Sequence, residues 1–289
     1  MDVSIEAGVL YVVATPIGNL GDISPRALDV LRAVDRVAAE DTRRTGALLS
    51  HFGIRARQIS LHEHNEPRQV PAVIGHLRAG GSVALVSDAG TPLISDPGYR
   101  LVTAAREAGI RVSPVPGPVA AMAALSVSGL PSDRFVFEGF LPAKGPARRQ
   151  RLLALAEDPR TLIFYESSHR IAACLADMHE TLGPERRAVV ARELTKTFEQ
   201  VQGGSLADLC EWLAAHEDHR KGEFVVLAAG APEVQDPGIS PEAERVLRML
   251  LEELPVKKAA KLAAEVTGAS RNQLYALAVR IRDPDGSKG

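Results

Sequence analysis

The 289-residue chain is poor in several residue types, and each shortage narrows its function. Only two cysteines are present, Cys174 and Cys210. That is neither a disulfide framework nor a zinc cluster, and a reducing cytoplasm is the expected compartment. Aromatic residues make up 4%, which argues against a base-stacking platform of the kind single-strand binders use. Neither sign of charge prevails: 34 basic residues stand against 36 acidic ones, a net charge of −2. No overall field advertises nucleic acid, so any such contact must be local. The first eight residues include acids and no apolar core, so no secretory signal is expected. One uncharged run, Val112 to Ser132, contains Pro114, Pro116, Pro118 and Pro131. It reads as a strand end, a loop and a buried helix rather than a membrane span. The dinucleotide fingerprint GxGxxG and the P-loop GxxxxGK[ST] are both missing; after the first apolar run come only Gly18 and Gly21.

What is present is globular. Hydrophobic residues are 45% and charged residues 24%, and the length suits about two domains. Val9 to Ala14 is a continuous apolar run, as in a buried parallel strand. Ser24 then caps a helix with Pro25 at its first position. Further strands are expected at Arg36–Ala39, Val83–Val86 and Arg111–Val115, with helices near Arg68–Ala79 and Gly98–Ala108. This alternation predicts an open α/β sheet with right-handed crossovers. A second α/β unit is expected, with strands at Phe135–Gly139, Thr161–Tyr165, Ala188–Arg192 and Glu223–Leu227. Helices near Pro146–Glu157, His169–Leu182 and Ser205–His216 lie between them. A proline-rich linker, Ala231 to Pro241, leads to a helical tail. The fold class expected is therefore α/β: two α/β domains, residues 1–118 and 119–232, plus a small helical extension, 240–289.

Each strand of the first unit ends in a loop rich in Gly, Pro and Asp, and ligands of open α/β sheets bind beyond those ends. Single loops of this kind are most often plain turns. Several at neighbouring strand ends point to a site.

These loops carry a resemblance. Leu10-Tyr11-Val12-Val13-Ala14-Thr15-Pro16-Ile17-Gly18-Asn19-Leu20-Gly21-Asp22, Ala39-Glu40-Asp41-Thr42-Arg43, the stretch Val86 to Gly98 and Val115-Pro116-Gly117-Pro118 resemble the tetrapyrrole-methylase superfamily. Gly139-Phe140-Leu141-Pro142, Tyr165 to Arg170, Arg192 to Lys196 and Lys221 to Val225 continue it. Within the superfamily the chain is most similar to the bacterial 16S rRNA cytidine 2′-O-ribose methyltransferases of the decoding region.

The resemblance implies a cleft between two α/β domains that holds S-adenosylmethionine, a homodimer, and methyl transfer to ribose in 16S rRNA or the 30S subunit. It places Pro16, Ser87, Asp88, Ala89, Gly90 and Thr91 beside the methyl donor, with Pro118 and Val119 at its methionine part. Tyr165, Ala191, Phe224 and Val225 are expected at adenine and ribose. Ser87-Asp88-Ala89-Gly90 stands where the superfamily carries Gly-Asp-Pro.

Methyl transfer to a hydroxyl rests on positioning, on a group that takes the proton, or on a cation that stabilises the developing alkoxide. Lys196 and Glu193 are the first candidates for proton acceptor or alkoxide stabiliser, followed by Arg43, Asp41 and Glu166. The competing reading of these charges is an inter-domain ion-pair network. His62-Glu63-His64 has no third ligand at metal-site spacing, so no metal is expected.

Two local basic segments are candidates for RNA contact. Lys144, Arg148, Arg149 and Arg151 cluster after Pro142, with no acid between Pro142 and Ala156. From Pro255 to Arg282, Lys257, Lys258, Lys261, Arg271, Arg280 and Arg282 face one acid, Glu265. There a helix stops at Gly268 and another starts after Ser270, a helix-turn-helix-like layout. Two other functions fit the same fold: a precorrin-type methyltransferase acting on a small macrocycle, and a non-catalytic ribosome-assembly factor.

Overall fold

The computed structural model describes residues 5–232 and 239–282. The chain folds as two compact units, one ending at Ala231 and one beginning at Pro232.

The first unit holds two five-stranded sheets. The first sheet comprises β1 (Val9–Val13), β2 (Arg36–Ala39), β3 (Arg57–Ser60), β4 (Val83–Val86) and β5 (Arg111–Val115), in the order β3-β2-β4-β1-β5. Every pairing in it is parallel. Val83 to Val86 is buried throughout, as a strand covered on both faces requires. The helices are α1 (Pro25–Ala33), α2 (Thr42–His51), α3 (Glu66–Arg78) and α4 (Tyr99–Glu107). Ser24 Oγ accepts from Ala27 N at 3.1 Å to start α1. Because all strands run one way, the loops after β1, β2, β4 and β5 share one edge of the sheet.

A helix, α5 (Ala120–Ser128), leads into the second sheet: β6 (Phe135–Phe140), β7 (Thr161–Ser167), β8 (Arg187–Arg192), β9 (Gln200–Ser205) and β10 (Glu223–Ala228). Their order is β6-β7-β10-β8-β9. Only β6 and β7 pair in parallel; the remaining pairings are antiparallel. Alternation decides which layer each residue joins. Leu162 and Phe164 pack with α6 (Gly145–Leu155), α7 (Ile171–Leu182) and α8 (Leu206–Ala215), whereas Ile163 faces Ala121 and Leu125 of α5.

The second unit contains α9 (Pro241–Glu253), α10 (Val256–Thr267) and α11 (Arg271–Arg282). Ala259, Ala260, Ala263 and Ala278 sit fully buried with Leu247 and Leu274, so small residues let the helices approach closely. Gly268 ends α10 in the left-handed conformation, φ 72°.

Three elements differ from the sequence reading. β3 and β9 are edge strands with polar sequences, RQIS and QVQGGS, which lack the apolar signal of interior strands. The segment after β2 is a helix, α2, capped by Asp41, whose carboxylate accepts from Arg43 N at 2.8 Å. Most of the expected linker, 233–238, and the tail beyond Arg282 lie outside the described residues.

Among the described residues no helix is long and apolar enough to cross a membrane.

Candidate active site

Three loops of the first sheet are tied together. Thr15 and Gly90 exchange backbone hydrogen bonds at 2.9 and 3.1 Å. Thr91 Oγ1 donates to the carbonyl of Pro118 at 3.1 Å. Gly90 has φ +83°, and a Cβ there would sit 3.3 Å from Ile17 Cγ2, so the knot needs glycine both for its backbone and for its space.

A cavity of about 290 Å³ lies between this knot and the second sheet. Its apolar wall is Ile17, Ile94, Val119, Ala120, Phe140, Tyr165, Ala191, Leu194, Phe224 and Val225. Tyr165 is fixed edge-on to Phe140 and Phe137, and its hydroxyl accepts from Ala121 N at 3.2 Å. The polar lining is Ser95, Asp96, Glu166, Ser167, Lys196 and Glu223.

The loop after β8 closes one side. Lys196 Nζ donates to Glu193 Oε1 at 3.0 Å and to Glu223 Oε2 at 2.7 Å. Burial opposes its charge, but the two carboxylates outweigh that and hold the ammonium above the ordinary lysine range. Glu193 Oε1 also accepts from Glu223 N at 2.9 Å. Burial pushes the Glu193 carboxyl up, yet that amide and Lys196 bring it below the usual range. Glu193 and Thr195 both adopt positive φ, 50° and 66°. Across the cleft Leu93 and Ser95 do the same, 74° and 66°.

Glu166 is fully buried. Its Oε1 accepts from Ser167 N at 2.9 Å and lies 3.2 Å from Arg170 Nε, and the carboxylate faces the buried Cys174 thiol of the helix that follows. Behind the knot sit further acids. Asp88 Oδ1 accepts from Asp41 N at 3.0 Å, and Asp88 N donates to Glu40 at 3.3 Å. The Asp96 carboxyl is pushed up to about 6, first by burial, then by Glu40 and Asp88, with the Ser87 hydroxyl opposing.

Of the residues expected at the methyl donor, Ala89, Gly90, Thr91 and Val119 line the cavity from the first sheet. Tyr165, Ala191, Phe224 and Val225 line it from the second, joined by the candidates Glu166 and Lys196. Pro16, Ser87, Asp88 and Pro118 are not in its lining: Ser87 is buried behind Gly90, and Pro118 contributes through its carbonyl. Glu193 acts on the cavity through Lys196. Asp41 and Arg43 pair with each other at 2.8 Å at the start of α2, away from the lining. The hydrogen bonds of Arg43 hold the Asp41 carboxyl well below the usual range. Residues that sequence reasoning did not single out are Ile17, Ile94, Ser95, Asp96, Ala120, Phe140, Ser167, Leu194 and Glu223. All of them except Ala120 stand inside the motifs quoted above, which was the available signal.

A second cavity, about 540 Å³, adjoins the first and shares Ser95 and Asp96 with it. His62, Glu63 and His64 line it. Among the described residues no group of three or more His, Cys, Asp or Glu side chains is arranged to hold a metal.

The basic segment 144–151 is not a free phosphate clamp. Arg148 is buried with its Nε 2.6 Å from Asp177, Arg149 meets the same carboxylate at 2.9 Å, and Arg151 is bidentate to Glu138. The acids absent from the local sequence arrive from β6 and α7.

Residues 9–210 match the family described as Tetrapyrrole (Corrin/Porphyrin) Methylases. The chain belongs to the tetrapyrrole methylase family. Residues 237–282 match a second description, the RsmI C-terminal HTH domain. This tetrapyrrole methylase is 61% identical over 268 residues to the protein named ribosomal RNA small subunit methyltransferase I of Xylella fastidiosa, covering 93% of this chain and 98% of that one. It is 55% identical over 272 residues to the protein of the same name from Escherichia coli O157:H7, covering 94% and 95%. Among solved structures it is similar to the methyltransferase CobJ, with TM-score 0.58, 19% identity and coverage of 78% and 95%. It is similar too to uroporphyrin-III-C-methyltransferase from Thermus thermophilus, with TM-score 0.55, 21% identity and coverage of 77% and 94%. The structural likenesses show that this tetrapyrrole methylase shares the α/β fold of those proteins.

Proposed function

We infer that this chain transfers a methyl group from S-adenosylmethionine to 16S ribosomal RNA, at the ribose 2′-hydroxyl of a cytidine in the decoding region. The observation that carries the reading is a mixed apolar and acidic cavity at the carboxyl ends of parallel strands, in a chain alike over nearly its whole length to proteins named small subunit rRNA methyltransferases. We read residues 1–118 and 119–232 as the two domains around it and 240–289 as an RNA-binding arm.

The cavity suits the donor. Ile17, Leu194, Phe224 and Val225 offer apolar walls for adenine. The knot residues Gly90, Thr91 and Val119 are assigned to the methionine end. Bound there, S-adenosylmethionine supplies an electrophilic methyl group on a cationic sulfur.

The chain's own contribution is placement and charge. Lys196 is held as a cation by Glu193 and Glu223, so its role is to stabilise the developing alkoxide rather than to accept a proton. Asp41 and Arg43 are assigned to the rim, where an RNA strand approaches. Lys257, Lys258, Arg271 and Arg280 of the second unit are assigned to phosphates, matched to a shape-based contact with RNA. Met122 and Val127 of α5 and Val201 of β9 are exposed apolar residues, which supports a homodimer; the small subunit rRNA named for its relatives supports a place in the cytoplasm.

The test is incubation of the protein with tritiated S-adenosylmethionine and either 30S subunits or naked 16S rRNA. Label at one alkali-resistant nucleotide is the expected result. No label in any RNA overturns the reading, and label in a corrinoid precursor instead would assign the small-molecule branch.

A further inference from the structure

The amino ends of the first sheet carry cations that the reaction centre does not use. Arg57 opens the edge strand β3, Arg55 stands two positions before it, and both are exposed. Arg36 opens β2 and is the direct partner of Arg57 in the pairing of the two strands. All strands of this sheet run one way, so these residues lie at the edge opposite the loops that build the donor cavity. Like charges set directly opposite on paired strands weaken a sheet, and an anion between them relieves the repulsion. Among the described residues no carboxylate takes that place. Arg43 and Arg44 find Asp41 and Asp88, whereas the side chains of Arg55 and Arg57 have no ion pair or hydrogen bond among the described residues. Asp35, beside Arg36, turns its carboxylate to Ser82, accepting from the amide at 2.7 Å and the hydroxyl at 2.8 Å. Helix capping does not employ these arginines either, because the last carbonyls of α2 are met by the amides of Phe52, Gly53 and Ile54.

A third cavity, about 480 Å³, opens at this corner between α2 and β3. Gly46, Leu49, Ile54, Arg55, Arg57 and Gln58 line it. Leu49 and Ile54 are buried and give it an apolar floor. Gly46 keeps it open, since a Cβ there would press on Gln58 Nε2 at 3.3 Å. The other end of that amide, Gln58 Oε1, is buried without a hydrogen-bond partner among the described residues. An acceptor left unmet costs free energy, so the groove suits a ligand that brings a hydroxyl donor together with negative charge.

Resting on the function proposed above, we propose that this groove is a second contact for ribosomal RNA and seats one nucleotide of the strand outside the reaction centre. Arg55 and Arg57 hold its phosphate, and Gln58 Oε1 accepts from its ribose 2′-hydroxyl. The planar guanidinium fork matches phosphate oxygens, and the 2′-hydroxyl is the group that separates RNA from DNA. β3 has four residues, about 13 Å of strand, so the groove stands within a short stretch of RNA from the rim at Asp41 and Arg43.

The experiment measures equilibrium binding of the full-length protein to naked 16S rRNA across a salt series. It compares wild type, Arg55→Ala with Arg57→Ala, Arg55→Lys with Arg57→Lys, and Gln58→Leu. Donor affinity is read separately by calorimetry. Removing both arginines is expected to weaken RNA binding by roughly 10-fold and to flatten the log–log salt dependence by about 1.5, the scale for two phosphate contacts on a single strand, with donor affinity retained. The lysine pair keeps the charge and should keep the slope. Gln58→Leu should leave the slope alone and narrow the preference for a single-stranded RNA over DNA of the same sequence. A wild-type slope in the alanine pair, or loss of its donor affinity, overturns the groove as an RNA contact. A loss seen only with assembled 30S subunits would give the groove to a protein of the subunit, and a halved mass in sedimentation with RNA binding intact would give it to a second copy of the chain; either result overturns the RNA. An unchanged RNA preference in Gln58→Leu removes the hydroxyl contact. The two levels of inference separate cleanly: wild type that labels no RNA defeats the rRNA function, whereas wild type that labels RNA and shares its salt slope with the alanine pair defeats the groove alone.

Discussion

Lys196 Nζ lies 2.7 Å from Glu223 Oε2, joining the loop after β8 to the first residue of β10 at the wall of the donor cavity. Glu193 completes the arrangement at 3.0 Å. A lysine so held stays charged through the neutral range. Lys196→Met should therefore lower methyl transfer by about 100-fold, the scale for losing one preorganised charge donor, with donor affinity retained. The wild-type rate should show no limb from this lysine below pH 9 or so, because its carboxylate partners raise it above the ordinary value of about 10.4. A single-turnover pH series checks both, and equal rates for the two proteins would remove Lys196 from the mechanism.

Gly18 is packed where no side chain fits. A Cβ there would stand 2.5 Å from Lys196 Cγ, 2.9 Å from Thr195 Oγ1 and 3.1 Å from the carbonyl of Leu194. Gly18→Ala should cost about 1–3 kcal/mol of stability, the range for overpacking, and weaken donor binding. Thermal unfolding with and without donor measures the two effects; a variant matching wild type in both would show that the loop yields freely.

The Arg148–Asp177 pair is buried on both sides. Burial opposes the Asp177 charge, yet hydrogen bonds from Arg149 and Arg148 hold its carboxyl below the usual range. The contribution is therefore full above pH about 4 and fades as pH falls through the depressed value. Asp177→Ala should cost about 3–5 kcal/mol by leaving a buried guanidinium unpaired. The difference between wild type and variant should shrink in denaturant melts between neutral pH and pH 3.

The second unit divides its cations by task. Arg282 donates to the carbonyls of Leu251 and Leu254, and Lys261 lies 3.7 Å from Glu265. On the proposed reading the phosphate contacts fall to Lys257 and Lys258, on the first turn of α10. Lys257→Ala with Lys258→Ala should weaken subunit binding across sequences and flatten the log–log salt dependence by about 2. An unchanged slope would place RNA elsewhere.

Much of this was legible in the chain. Interior strands announce themselves because a strand buried on both faces is a continuous apolar run, as in β1 and β4. The loops that build the knot were marked by Gly90, Thr91 and Pro118. Edge strands were not legible, since β3 and β9 owe their place to a neighbour's backbone rather than to apolar side chains. Charge roles were least legible of all. Arg148 and Arg149 look free in sequence and are neutralised by Asp177 some 28 residues on. Asp96 looks like turn chemistry until the fold sets Glu40 and Asp88 beside it.

Asn19 N donates to Thr195 Oγ1 at 3.1 Å across 176 positions of chain. Contacts so distant in sequence close only after both sheets exist, because the entropy of closing so long a loop must already have been met. No fragment of the body therefore carries a working half of the pocket. A molecule that settles there acts as a staple across both sheets, and mass action makes its concentration a dial on the stability of the entire body that ends at Ala231.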